Sequence, residues 1–261
     1  MIRQESLSEI SDGRLYTEND MVRADTGNCA GCRQVCCRGM ESSIILDPYD
    51  VYRLTRKLQK TFDELLNDKI EINIVDGIML PNMKMAAETD ACGFLGEDNR
   101  CLIHDARPGV CRLFPLGRYW ESESSYKYIL QKNQCHKPGL SKIKVKKWID
   151  IEEGSAYEHF IVSWHKYLKK TEEAAAELAA EAAAVSEAAA QGEISGEEGG
   201  NPSGGAQTAD NKMTPQQKIR IICLYTLKTF YAAEYSAACG SDFFREAEER
   251  ISKAYKDLGM E

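Results

Sequence analysis

Four thiols fall within the nine residues Cys29-Ala30-Gly31-Cys32-Arg33-Gln34-Val35-Cys36-Cys37, and the last two are adjacent. In a reducing compartment, soft thiolates packed this densely select zinc, copper(I) or iron–sulfur centres. A second group follows at Cys92, Cys101, Cys111 and Cys135, with His104 three residues beyond Cys101. Eight of the ten cysteines therefore form two groups of four, and all eight are candidate metal ligands. Side chains of adjacent cysteines tend to diverge. Cys36 and Cys37 thus predict two neighbouring centres, or one ligand beside a thiol held in reserve.

The spacing bears on which metal. A zinc ribbon shows two Cys-x-x-Cys knuckles, and here Cys29–Cys32 alone has that form. The wide intervals from Cys92 to Cys101 and from Cys101 to Cys111 suit a spread-out ligand set. They lean toward an iron–sulfur cluster of the 4Fe–4S kind. Cys101-x-x-His104 keeps open a zinc site with one imidazole. A four-thiolate centre is anionic and needs donors and cations nearby. Arg33, Arg38, Arg107, Arg112 and Arg118 lie close to thiols in sequence, and Arg107 and Arg112 flank Cys111 as the expected support. Cys223 sits on an apolar helical pattern and Cys239 precedes a glycine, so both read as packing residues.

The chain of 261 residues begins with a polar segment lacking the apolar core of a signal peptide. No apolar run approaches the roughly 18 residues of a membrane span. The expected location is cytoplasmic, with no membrane partner. The net charge of −8 is local: residues 171–211 hold eight Glu and one Asp with no Lys or Arg, which leaves the remainder at +1. The Lys142–Lys147 run reads as a solvated face, so nucleic acid is not an expected partner. Phosphate loops, nucleophile elbows and dinucleotide fingerprints are missing, so no catalytic residue is named.

The chain divides into an arm at 1–28, a cysteine-cluster domain at 29–140 and a helical extension at 141–190. A Gly/Ser/Glu linker expected to be disordered follows at 191–213, and a helical pair at 214–261. Asp47-Pro48 predicts a capped helix with Val51, Leu54 and Leu58 on one face, and Thr61 to Glu64 a capping box. Ile70, Ile72 and Ile74, then Asp76-Gly77, predict a hairpin with Pro81 in an edge strand. A turn at Gly96–Asn99 would place Cys92, Phe94, Cys101 and Ile103 on one face. Arg107-Pro108 should open a helical turn carrying Cys111 and Arg112. Tyr157, Phe160, Ile161, Trp164 and Leu168 mark an amphipathic helix, and 172–190 its solvated Ala/Glu extension. Thr214 to Gln217 starts a helix that Gly240 should end. The fold class is α+β: a small domain with a thin core, stapled by metal, with helices appended.

At these residues the chain resembles the YkgJ-like cysteine-cluster proteins, a family described as zinc- or iron-chelating. The matching segments are Cys29, Cys32, Cys36 and Cys37; Leu46-Asp47-Pro48-Tyr49-Asp50; Cys92-Gly93-Phe94-Leu95; Cys101-Leu102-Ile103-His104; Arg107-Pro108; and Cys111-Arg112-Leu113-Phe114-Pro115. Three residues rather than two separate Cys32 from Cys36. That spacing is also similar to the clusters of flagellin lysine methylases. The resemblance implies metal binding and fixes no reaction. Beside the leading reading of a metal-binding protein stand two others. One is an enzyme that modifies a protein side chain through the cluster, and the other a structural-zinc module that meets a protein partner.

Overall fold

The computed structural model describes residues 6–27, 34–132, 134–135, 139–151, 153–192 and 213–260. Its architecture is α+β. A single turn, α1 (Leu7–Ile10), precedes β1 (Met21–Asp25); α2 (Pro48–Leu58) and α3 (Phe62–Asp68) lead into the hairpin β2 (Ile70–Val75) and β3 (Ile78–Met83). Two short strands, β4 (Met85–Ala86) and β5 (Ala91–Cys92), come before α4 (Gly109–Leu113). A second hairpin, β6 (Leu116–Ser122) and β7 (Ser125–Leu130), is followed by β8 (Ser141–Lys144) and α5 (Val145–Ile149). Three helices close the chain: α6 (Gly154–Gly192), α7 (Pro215–Leu227) and α8 (Gly240–Asp257).

Local chemistry sets these boundaries. Asp50 N donates to Asp47 Oδ1 at 2.8 Å while Asp47 N donates to Asp50 Oδ2 at 3.1 Å, a reciprocal cap with Pro48 at the first position of α2. Thr61 with Glu64 and Thr214 with Gln217 cap α3 and α7 in the same way. Asp76 and Gly77 both take positive φ, 49° and 88°, the conformation a two-residue hairpin requires. The strand order is β1-β8, β2-β3, β4-β5 and β6-β7, each pair antiparallel.

The amino-terminal arm is more ordered than its polar composition suggests. Tyr16 bridges Tyr128, and β1 pairs with β8, with Val22 opposite Ile143. Val22 and Ala24 alternate inward and are fully buried with Leu113, Leu116, Tyr128, Val145 and Ile149. The lysine run is a solvated face as expected, yet the same residues form β8 and α5, whose Val145 and Ile149 point to this small core.

The main core draws on residues from Ile44 to Ala254. Ile44, Leu46, Tyr49, Leu54, Phe62 and Phe94 pack with Phe160, Trp164, Phe230, Phe243 and Phe244. Ring centroids of Tyr49 and Phe244 lie 4.7 Å apart, and Tyr231 Oη donates to the Leu46 carbonyl at 2.9 Å. The carboxy-terminal helices are therefore half of the core that carries the cysteine segments, and the thiol region does not depend on a thin core of its own. An amphipathic helix must bury its stripe against something, and here the stripe of α6 faces α7 and α8. The helix α6 runs 39 residues without a break, taking in the Ala/Glu stretch. A π turn at Lys228–Ala232 ends α7 and turns both Phe230 and Tyr231 inward. Gly240 opens α8 instead of ending the helix before it. The linker expected at 191–213 falls almost wholly outside the described residues. No described helix is long and apolar enough to cross a membrane.

Candidate metal centre

The thiols reach one place by three local routes. Gln34, at φ 56°, leads into a tight turn at Val35–Cys37, closed by Cys37 N donating to Gln34 O at 2.8 Å. Both following side chains swing to the same side, and the sulfurs of Cys36 and Cys37 stand 3.8 Å apart. The divergence expected of adjacent cysteines does not occur, because the turn is too tight to let them alternate. The Gly39 amide donates to Asp90 O at 3.0 Å, which sews this turn beside β5 and Cys92. Beyond β5 the chain reverses through Gly96–Asn99, with Leu95 bridging Cys101 and Leu102 N donating to Phe94 O at 2.9 Å. The alternation puts Phe94 and Ile103 in the core and leaves Leu102 exposed. Cys111 enters on α4.

Cys36, Cys37, Cys92, Cys101 and Cys111 all line one cavity of about 40 Å³, together with His104 and Arg107. All five are half-buried free thiols. The Nε2 of His104 is buried and has no hydrogen-bond partner. Five soft donors and one unpartnered imidazole nitrogen make a donor set that fits zinc or iron. Among the described residues, no three His, Cys, Asp or Glu side chains already form a set closed around a single ion.

Electrostatics divides the thiols. A hydrogen bond from Cys37, opposed by burial and helped by the Arg107 charge, brings Cys36 down to about 7. Cys37 is raised in turn by the same hydrogen bond and by burial, so Cys36 is the first of the pair to lose its proton. Burial raises Cys92, pushes Cys101 up to about 11 and holds Cys111 well above the usual thiol range. Burial, then Arg107, lowers His104, which leaves a neutral imidazole able to coordinate. A cation at this cavity would displace protons from these thiols.

The remaining candidates are placed differently. Cys29, Cys32 and Arg33 lie outside the described residues. Cys135 is half-buried beyond β7 and does not line the cavity. Arg112 is buried and directed elsewhere: its Nη1 donates to Asp150 O at 2.8 Å and Ile149 O at 3.3 Å, and its Nη2 to Asp105 O at 2.9 Å. Burial, then Arg53 and Arg107, pushes Arg112 down to about 10. Arg118 donates to Tyr157 Oη at 2.9 Å, and Arg38 is exposed. Cys223 is buried, and its sulfur accepts from Met79 N at 3.4 Å. Cys239 is exposed at the amino end of α8, where packing was expected.

The sequence reading makes Asp47 a cap and gives Asp50 no role of its own. Asp50 Oδ1 accepts from Gly109 N at 2.7 Å, which fixes the start of the Cys111 helix against the start of α2. A side chain at Gly109 would meet Tyr157 Oη at 2.6 Å, so glycine is required by the approach of α6. The available signal was the glycine between the matched Arg107-Pro108 and Cys111-Arg112 segments.

A convergent, thiol-rich cavity on a small α+β scaffold defines a metal-chelating class of site. In agreement, residues 28–136 match a family model titled "CxxCxxCC: Putative zinc- or iron-chelating domain". The matched stretch takes in all eight clustered cysteines, from Cys29 to Cys135, and supports metal binding by this part of the chain. No curated protein and no solved structure matches the chain.

Proposed function

We propose that the chain is a cytoplasmic metal-binding protein whose centre is held by Cys36, Cys37, Cys92, Cys101 and Cys111, joined by Cys29 and Cys32, which precede them in sequence. The observation that carries this reading is the meeting of five thiols from three separate stretches at one cavity. A tetrahedral ion uses four ligands. Five thiols, with two more a few residues upstream, exceed that number and the four of a single 4Fe–4S cluster alike, so the lean toward an iron–sulfur cluster of the 4Fe–4S kind rests on the spread-out spacing of Cys92, Cys101 and Cys111. Such a cluster supplies reversible one-electron chemistry when bound. Arg107 would offset its negative charge, while Arg112 positions the backbone around it. The YkgJ-like reading of the cysteine order belongs to the same proposal.

One observation favours zinc as a second reading. The unpartnered Nε2 of His104 at the same cavity suits a mixed thiolate–imidazole site. Anaerobic purification followed by absorbance and metal analysis separates the two. A broad band at roughly 400 nm with iron and acid-labile sulfide supports the cluster. Colourless protein with stoichiometric zinc supports the second reading. Protein that takes up neither metal would refute both.

A further inference from the structure

Beside the thiol cavity lies a wider cleft of about 620 Å³, lined by Arg53, Arg107, Arg112 and Lys147 and walled by Tyr49 and Trp148. His104 and Arg107 line both spaces. The three arginines are held in an unusual way. Arg53 Nη1 donates to Arg107 O at 3.1 Å, and its Nη2 donates to Asp105 O. Arg107 Nε donates to His104 O at 3.1 Å. Arg112 donates to the carbonyls of Asp105, Ile149 and Asp150, and its buried Nε has no partner.

Backbone carbonyls fix a guanidinium without neutralising it. Among the described residues, no carboxylate lies within ion-pair distance of Arg53, Arg107 or Arg112. The nearest in sequence, Asp105, is committed to Lys57 at 2.5 Å. The buried Asp47 and Asp50 carboxylates accept backbone amides instead. Other acids do line the cleft: Asp25 accepts from Ser141 and Gly27, Asp150 is exposed, and Glu153 adjoins Gly240. Asp105, Asp150 and Lys147 are exposed, Arg112 is buried, and Arg53 and Arg107 are half-buried, as are Asp25 and Glu153. Asp47 and Asp50 act on Arg53, and Asp50 on Arg112, only from beyond ion-pair distance. Three guanidinium groups fixed by carbonyls in one cleft, with no described carboxylate in direct contact, present N–H groups to a planar or tetrahedral oxyanion.

We infer that this cleft binds a compact oxyanion, a carboxylate or a phosphate, on Arg53, Arg107 and Arg112. The anion's place beside a metal rests on the metal-centre reading above, whereas the anion site itself does not. The chemistry shared by the two ligand types is bidentate acceptance of guanidinium N–H groups.

Calorimetric titration of the full chain, with its metal as isolated, tests this with sodium phosphate and sodium acetate against sodium chloride at matched ionic strength. Saturable heat with phosphate, acetate or both, and none with chloride, is expected, and the anion that binds identifies the class. Arg53→Gln and Arg107→Lys should each weaken binding about tenfold, the scale of one lost charge-assisted contact. Arg56→Gln is the control, because Arg56 also binds carbonyls, of Ala237 and Ala238, but lies outside the cleft. If Arg53→Gln does not fold, Arg53→Lys decides: it keeps the charge and loses the fork, so weakened binding supports the site and unchanged binding overturns it. Equal heats for all three salts, or equal weakening by Arg56→Gln, would also overturn it. Metal content measured on the same samples keeps the two readings apart. Metal-loaded protein blind to phosphate and acetate refutes the anion site alone, and metal-free protein that binds phosphate refutes the metal centre alone.

Discussion

The Asp50 carboxylate accepts the Gly109 amide at 2.7 Å across 59 residues of chain. Through this bond the first turn of α2 holds the first turn of α4, and with it Cys111. Tyr157 from α6 closes over the junction, with its Oη 2.6 Å from where a Gly109 side chain would begin. The thiol cavity is thereby anchored to the aromatic core rather than to itself.

Gly109→Ala should destabilise the protein by about 1–3 kcal/mol, the usual cost of overpacking a filled site. Adding Tyr157→Phe removes the clashing oxygen, so the double variant should be more stable than the sum of the two single changes predicts. Denaturant melts of the four proteins check this. Additive effects would show that the contact is not the cause.

Burial raises Asp47 to about 6 and lifts its partner Asp50 well above the ordinary aspartate range. A folded-state value above the unfolded one means that the native protein binds more protons across that interval. Stability from Asp47 is then complete below the unfolded value of about 4 and declines as pH rises toward 6. Asp47→Asn should flatten the fall in stability between those limits, measured by urea melts at each pH. An unchanged slope would contradict the assignment.

Cys223 and Cys239 should behave oppositely when changed to Ser. Cys223 is buried beside Ile78, Leu80 and Ala175, so a hydroxyl there should cost about 1–2 kcal/mol. Cys239 occupies the N-cap of α8, where serine is a preferred residue, so Cys239→Ser should be neutral or stabilise by up to about 1 kcal/mol. Thermal melts read both, and metal content should stay unchanged in both variants.

Chelation should open the thiol segments and spare the rest. Phe160, Trp164, Phe230 and Phe243 pack in a core to which the cavity adds a margin. Far-ultraviolet circular dichroism should therefore keep most of its helical signal after metal removal, while the cavity segments lose hydrogen-exchange protection. Complete unfolding on chelation would restore the picture of a domain held mainly by metal.

Capped helices and the Asp76-Gly77 hairpin were legible in the sequence, because their signals are local and stereochemical. The meeting of Cys92 with Cys101 was legible too, since a four-residue turn fixes the alternation on either side. The pairing of β1 with β8 was not, because two inward residues, Val22 and Ala24, are too few to stand out among charges. Nor was the shared core: Phe230, Tyr231, Phe243 and Phe244 look like a helical pair's own interior until Tyr49 and Phe62 are seen against them. The convergence of Cys36 with Cys37 was not legible, since adjacent side chains tend to diverge and only the tight turn at Val35–Cys37 brings them to one side.

The central claim is that thiols from separate segments hold one metal centre. Metal stoichiometry of anaerobically purified Cys36→Ser, Cys92→Ser, Cys101→Ser and Cys111→Ser, with Cys223→Ser as control, tests it most directly. The account predicts a loss of bound metal in each of the four and full occupancy in the control. Full occupancy in Cys92→Ser and Cys111→Ser, or metal loss in Cys223→Ser equal to theirs, would contradict it.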